Sequence, residues 1–210
     1  LTERGSHAYA ATMRLFVSGA SPFVRKCRIV VREHGMLDRI EEVPADPYAN
    51  DPGLSAVNPL AQVPALIDDE GRTWIDSPLI CAFLDENGPG DRLLPPEGPA
   101  HWDVRRRETL ADGVLELGVK WLLELRRPEA ERSPSWIERW KGGVERGLDG
   151  LEALGQSAER LDLGVIATGV AVTWLGFRHP GFDWTAGRPG LAALQQGLER
   201  RDSFRDTYPR

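Results

Sequence analysis

Asn58-Pro59-Leu60-Ala61-Gln62-Val63-Pro64-Ala65-Leu66, followed ten residues on by Asp76-Ser77-Pro78-Leu79-Ile80, decides how this chain folds. Pro64 has no amide hydrogen to give to a sheet ladder and opens the apolar run to Ile67. It therefore belongs at a strand's first residue or on an exposed edge. An unpaired edge there can hold an extended peptide. Val63-Pro64 is also where a cis peptide bond would be used, leaving the backbone of Val63 facing outward. The hairpin Leu66-Ile67, the turn Asp68 to Gly71 and the strand Arg72 to Ile75 then return Asp76 and Ser77 beside that edge.

Ser77-Pro78 reads as an N-cap followed by a proline at the first helical position. Leu79, Ile80, Phe83 and Leu84 form the buried stripe of that helix, and Gly88 lies beyond its end. Free amides, a hydroxyl and a carboxylate at such a start can grip the α-carboxylate and α-amine of an amino acid together. The same grammar occurs earlier. A short strand, Leu15-Phe16-Val17, runs through Ser18-Gly19-Ala20 into Ser21-Pro22-Phe23-Val24-Arg25-Lys26. Ser21 is expected to cap a helix that begins at Pro22 and closes at Gly35. Phe23, Cys27, Val30 or Val31, and His34 fall on one face of it, with Arg25, Arg28 and Arg32 on another.

A serine hydroxyl at a helix N-terminus can accept from a backbone amide and still donate to an anion over the helix dipole. A thiolate suits that place, because such surroundings lower a free thiol's pKa of about 8.5 by one to several units.

The chain has 210 residues, with 26 basic and 32 acidic side chains, four histidines and a net charge of −6. Its length suits one large or two small domains. The negative balance argues against nucleic acid as a partner. No apolar run approaches the roughly eighteen residues of a membrane span. Cys27 and Cys81 sit on apolar helical stripes and form no Cys-x-x-Cys, so they read as buried inert thiols of a protein in a reducing, cytoplasmic compartment. His7, His34, His101 and His179 are scattered without ligand spacing, and no metal site is expected.

Residues 1–12 lack a basic start and an apolar stretch, whereas Met13-Arg14-Leu15-Phe16 reads as a natural beginning. The first twelve are therefore taken as an extension or cloning remnant. A first domain is expected over 13–87. A linker follows at 88–99, where seven of twelve residues are Gly or Pro, and an all-helical domain at 100–210. In that half, Leu110, Val114, Leu117, Trp121 and Leu125 recur at helical spacing until Pro128. Ser133-Pro134 starts a second helix, with Ile137, Trp140, Val144, Leu148 and Leu151 on its stripe. Ile166, Val170, Trp174 and Phe177 mark an unusually apolar third helix, and Leu191, Leu194 and Leu198 a last one.

The order of strand, Ser-Pro-Phe helix, strand Ile40 to Val43, Asn-Pro-x-x-x-Val-Pro-x-Leu, hairpin and Asp-Ser-x-x-Ile helix resembles the N-terminal domain of cytosolic glutathione transferases. Thr173-Trp174-Leu175-Gly176-Phe177-Arg178 and the run from Arg188-Pro189-Gly190-Leu191 to Asp202-Ser203-Phe204 resemble a bacterial Ser-Pro-Phe-Val-Arg-Lys group of that family. The likeness covers residues 13 to 208.

This resemblance implies an α/β plus all-α architecture: a thioredoxin-like domain with a four-stranded mixed sheet and helices, then a helical bundle. It implies that Ser21 meets the sulfur of glutathione and that Val63 pairs through its backbone with the cysteinyl unit. Asp76 and Ser77 would hold the γ-glutamyl group, Gln62 would meet the glycyl end, and Pro64 would be the structural cis-proline. Ser18 lies in the same loop and is the alternative for the sulfur, although only Ser21 carries the helix-start signature. Two further points concern the helical half. Family members often open the central helix with Ser/Thr-x-x-Asp, whereas Asp162-Leu163-Gly164-Val165 offers a cap without its partner acid. Trp102 and Trp121 lie on a helix that walls the second-substrate pocket in the family, yet large aromatics on a helical stripe read as core.

The function implied is a homodimeric glutathione transferase, with glutathione as co-substrate, a small electrophile as second substrate, and no metal, nucleic acid or membrane partner. One alternative is a glutathione-dependent peroxidase or reductase, although serine at position 21 cannot form the mixed disulfide that a cysteine would. The other is a non-catalytic regulatory protein on the same fold, resembling the stringent-starvation proteins that bind RNA polymerase.

Overall fold

The computed structural model describes residues 12–209. The proposed extension, apart from residue 12, and His7 with it, lie outside the described residues. The chain opens with β1 (Met13–Val17), α1 (Pro22–Glu33), β2 (Ile40–Pro44) and a short α2 (Pro52–Val57). The hairpin of β3 (Ala65–Ile67) and β4 (Thr73–Ile75) and then α3 (Ser77–Asn87) complete the first half. After a non-helical stretch come α4 (Gly98–Arg126), α5 (Pro134–Ala153), α6 (Leu163–Arg178), α7 (Pro189–Leu198) and α8 (Asp202–Arg205).

The four strands form a mixed sheet in the order β2-β1-β3-β4. β1 runs parallel to β2, with Met13 opposite Ile40, and antiparallel to β3, with Phe16 opposite Ala65. The architecture is thus a thioredoxin-like domain joined to a helical one. The order corrects one expectation: β3 is not an edge, because β1 and β4 flank it on both sides. Pro64 takes the other place open to a residue without an amide hydrogen, immediately before an interior strand.

α1 follows its sequence signals. Ser21 caps it, Pro22 opens it, and Gly35 leaves it in the left-handed conformation at φ +62°, which costs a glycine little. Its apolar face, Val24, Cys27, Ile29, Val30 and Val31, packs toward α3 and α6. Full burial of each such side chain is worth about 1.5–3 kcal/mol. A smaller cluster of Phe16, Leu54 and Ala65 packs with α2, whose cap Asp51 accepts from the amides of Gly53 and Leu54.

Arg25 departs from the polar face expected of it. Its guanidinium is buried under the end of the chain, donating to the Phe204 carbonyl at 3.0 Å and lying 5.5 Å and 5.6 Å from the ring centres of Phe204 and Tyr208. Burial lowers its pKa to about 10. α8 thereby docks on α1, a long-range contact that the spacing of α1 residues could not show.

α6 is buried from Leu163 to Leu175, as its all-round apolar pattern requires. Asp162 caps it alone: one oxygen accepts from the Val165 amide at 2.9 Å, and the other takes Arg107 at 2.6 Å. Between α3 and α4, the chain is held by Asp85. Its carboxylate accepts from the amides of Leu93 and Leu94 at 2.7 and 3.1 Å and from His34 Nε2 at 3.0 Å. His34 Nδ1 in turn accepts from the Gly90 amide at 3.1 Å, which places the ring proton on Nε2. A Cβ at Gly90 would stand 2.9 Å from that ring nitrogen, and one at Gly88 would overlap the ring, so both glycines follow from the histidine.

Candidate functional site

Strand register brings three segments to one end of the sheet. Phe16 faces Ala65 across β1 and β3, and Ala65 faces Ile75 across β3 and β4. The loop after Val17, the Val63-Pro64 step before Ala65, and Asp76 after Ile75 therefore emerge together. Each was singled out in the sequence for a different reason, and the ladder makes them neighbours.

Ser21 lies at the α1 end of the first segment. Its Oγ accepts from the Val24 amide at 3.3 Å, and its own amide closes the turn onto the Ser18 carbonyl at 3.1 Å. No acceptor takes the Ser21 hydroxyl hydrogen among the described residues. The hydroxyl is half-buried, and its proton is left unused at the helix start. Ser18 shares the loop, but its side chain caps nothing.

The Val63-Pro64 peptide is cis. Pro64 is buried, Val63 half-buried and Gln62 exposed. Among the described residues neither the N–H nor the C=O of Val63 has a hydrogen-bond partner, so the backbone of this one residue, at the bend before β3, is left open. Asn58 holds this turn, a role that its motif alone did not assign. Its side-chain amide donates to the Gln62 carbonyl at 2.8 Å, and its oxygen accepts from the Leu60 amide at 2.9 Å. An Asn-Pro pair ahead of a strand is a recognisable turn signal, and it could have marked this one.

At the third segment the capping assignment changes. Asp76, not Ser77, is the N-cap: its carboxylate accepts from the Ser77 amide at 2.7 Å, and Ser77 is already helical. Asp76 stands at φ +68°, ψ +136°, a conformation non-glycine residues seldom adopt and one that costs about 1–3 kcal/mol. That backbone leaves the aspartate exposed while Ser77 points inward. Ser77 is 0 % exposed, and its Oγ has no hydrogen-bond partner. An unpaired hydroxyl in such a place is costly unless something else satisfies it.

Behind these segments lies a buried charge cluster. Lys26, 1 % exposed, donates from α1 to both carboxylate oxygens of Asp112 on α4 at 2.7 and 2.6 Å and lies 3.4 Å from Glu108. Burial works against the ammonium, but Asp112 and Glu108 outweigh it and hold the lysine protonated above its usual range. Burial, opposed by Lys26 and reinforced by the negative charges of Glu108 and Asp76, raises Asp112 to about 6. Nothing in the local sequence marks Lys26 as buried.

Cys27 and Cys81 are free, fully buried thiols with sulfurs 3.8 Å apart. The bond to Cys27 and burial push the Cys81 thiol well above its normal range, which leaves it unreactive. Among the described residues no group of three or more His, Cys, Asp or Glu could hold a metal ion. No described helix is long and apolar enough to cross a membrane. Trp121 is core, stacked on His179 at 3.9 Å, whereas Trp102 is exposed, against the reading that placed both in the core.

Residues 20–87 match the family profile described as glutathione S-transferase, N-terminal domain. Over 202 residues the chain is 35 % identical to an uncharacterised GST-like protein of Escherichia coli, YibF, covering 94 % of this chain and 98 % of that one. A glutathione transferase family member from Pseudomonas fluorescens, solved with bound glutathione, superposes with a TM-score of 0.90 at 33 % identity, over 95 % of this chain and 100 % of that one. A glutathione S-transferase from Methylobacillus flagellatus, also with glutathione bound, gives 0.86 at 33 % identity, with the same coverage. The chain belongs to the glutathione S-transferase family.

Proposed function

We propose that the protein is a glutathione transferase that holds the tripeptide along Val63 and ionises its sulfur with Ser21. The observation that carries this reading is the spare proton of the Ser21 hydroxyl at the start of α1, on the same end of the sheet as the open backbone of Val63 and the carboxylate of Asp76. Solved relatives about one-third identical carry glutathione.

In this reading Val63 pairs through its N–H and C=O with the cysteinyl backbone of glutathione. Asp76 takes the γ-glutamyl ammonium, exposed Gln62 meets the glycyl end, and the unpaired Ser77 hydroxyl, turned inside in this structure, swings outward to take the γ-glutamyl carboxylate. Ser21 donates to the sulfur, the thiol proton leaves to solvent, and the thiolate attacks an electrophilic carbon or sulfur, whose leaving group departs to solvent with the electron pair of the bond that breaks. Serine forms no covalent bond. The rate gain comes from thiolate stabilisation and proximity. Ser21 is preferred to Ser18 because only its oxygen is fixed by a helix amide. The Ser21 to Lys26 stretch supports placement in a bacterial subgroup that shares those six residues.

Two free thiols suit a reducing cytoplasm. Exposed Leu60, Leu79 and Trp102, around the site and on α4, are side chains that a homodimer interface would cover. A panel of electrophiles assayed with glutathione, alongside calorimetry with glutathione alone, tests the reading. Measurable binding with turnover of at least one electrophile is expected. No heat at millimolar glutathione would favour a binding module without this chemistry.

A further inference from the structure

Among the described residues a single hydrogen bond joins the helical domain to the loop that carries Ser21. The indole Nε1–H of Trp174, on α6, donates to the Ala20 carbonyl at 3.2 Å, across 154 positions of sequence. Trp174 is 2 % exposed, so the contact is shielded from water. Several packed groups aim the ring. His179 meets it edge-on at 5.9 Å and itself bonds the Gly118 carbonyl at 3.1 Å. Gly118 gives the indole room: a Cβ there would stand 3.0 Å from Trp174 Cζ3 and 3.1 Å from Leu175 Cδ2.

The bonded carbonyl belongs to the Ala20-Ser21 peptide, a rigid plane. The N–H of that same plane is the Ser21 amide, which donates to the Ser18 carbonyl. One end of the plane is thus held within the loop and the other by the second domain. Together they fix the direction in which the Ser21 side chain leaves the backbone. Bonds in series through one peptide also polarise each other.

We infer that Trp174 is a positioning residue for the sulfur-binding hydroxyl, acting from the helical domain through the Ala20-Ser21 peptide. This rests on the reading of Ser21 given above. A wall residue that merely fills the domain interface would set stability and the shape of the second-substrate pocket. Trp174 also sets how well glutathione ionises.

The test is Trp174→Phe beside Ser21→Ala and the double variant, with the pKa of enzyme-bound glutathione read from its ultraviolet thiolate absorbance and from the pH profile of kcat/KM. Removing one neutral donor is expected to lower kcat/KM about three- to tenfold and to raise the bound thiol's pKa by about half a unit, with KM for glutathione little changed. In the Ser21→Ala background the same substitution should leave the thiol pKa where Ser21→Ala alone puts it. If Ser21→Ala shifts the thiol pKa and Trp174→Phe does not, the inference is overturned and the Ser21 reading stands. If Ser21→Ala shifts nothing, both fall. Should Trp174→Phe fail to fold, the native protein decides by nuclear magnetic resonance. The Trp174 indole proton is expected to be protected from exchange and to move on addition of glutathione, and an unprotected or unmoved signal overturns the inference.

Discussion

The starts of α1 and α3 carry nearly the same letters, Ser21-Pro22 and Asp76-Ser77-Pro78, yet they use their serines in opposite ways. At α1 the serine is the cap, half-buried, with a proton to spare. At α3 the preceding aspartate caps, and the serine is turned wholly inside with its oxygen unpaired. A third copy, Ser133-Pro134, opens α5 with no side-chain cap bond, its amide going instead to Glu124 at 2.8 Å. Ser-Pro therefore marks where a helix begins. Which atom is left free is set by the residue before it and by what packs behind.

What packs behind also differs. α1 is anchored through Lys26 to Asp112 and Glu108 on α4, and α3 through Asp85 to the backbone that follows it. The largest effect is expected at the first anchor. Lys26→Met strands two carboxylates without their cation and should cost about 3–5 kcal/mol in denaturant unfolding. A loss below about 1 kcal/mol would mean the cluster is not what holds α1 to the second domain.

Next comes Ser21→Ala. A hydrogen bond to a charged sulfur is worth about 1.5–3 kcal/mol, so kcat/KM should fall roughly ten- to a hundredfold in steady-state assays. Loss of the cap adds about 1 kcal/mol of destabilisation.

Asp76→Asn tests the other helix start with a smaller expected effect. Asparagine can still accept from the Ser77 amide, so α3 should keep its cap and its stability. Loss of the negative charge should raise KM for glutathione about tenfold while kcat changes little. A fall in kcat with KM unchanged would remove Asp76 from ammonium binding.

The smallest effect on activity belongs to the Asp85 anchor, which acts on stability and is read most clearly from its loss in acid. Burial opposes ionisation of Asp85, but its bonds to His34, Leu93 and Leu94 prevail and depress its pKa below 3.8. A carboxylate whose folded pKa is depressed adds stability above its unfolded value and loses it as pH falls through the folded one. Asp68, held to about 2 against burial by Trp74 and Arg72, acts in the same window. Thermal unfolding should therefore fall steeply below pH 4 in the wild type, and Asp85→Asn should flatten that slope while lowering stability at pH 7.

The comparison also shows what the sequence could convey. The strands, the starts of α1 and α5 and the break between α3 and α4 were legible because proline, glycine and serine punctuate them through local backbone rules, whereas the short α2 and the Asp76 cap of α3 were not. The hairpin alone brought Asp76 beside Val63, and the addition of Ser21 to them was implied by the family resemblance; the strand ladder supplies the physical reason. What escaped was long-range or relational. Lys26 and Arg25 look like surface charges until α4 and α8 supply their partners. The interior place of β3, the His34 to Asp85 link and the bond from Trp174 to Ala20 depend on segments far apart in the chain. The inward turn of Ser77 follows from the positive φ of Asp76, a value no propensity for aspartate predicts.

A crystal structure of the protein with glutathione tests the central claim most directly. The sulfur is expected within hydrogen-bond distance of Ser21 Oγ, at about 3 Å, with the cysteinyl backbone paired to Val63. A sulfur bonded to Ser18 instead, or Ser21 Oγ turned away from it, would contradict the account.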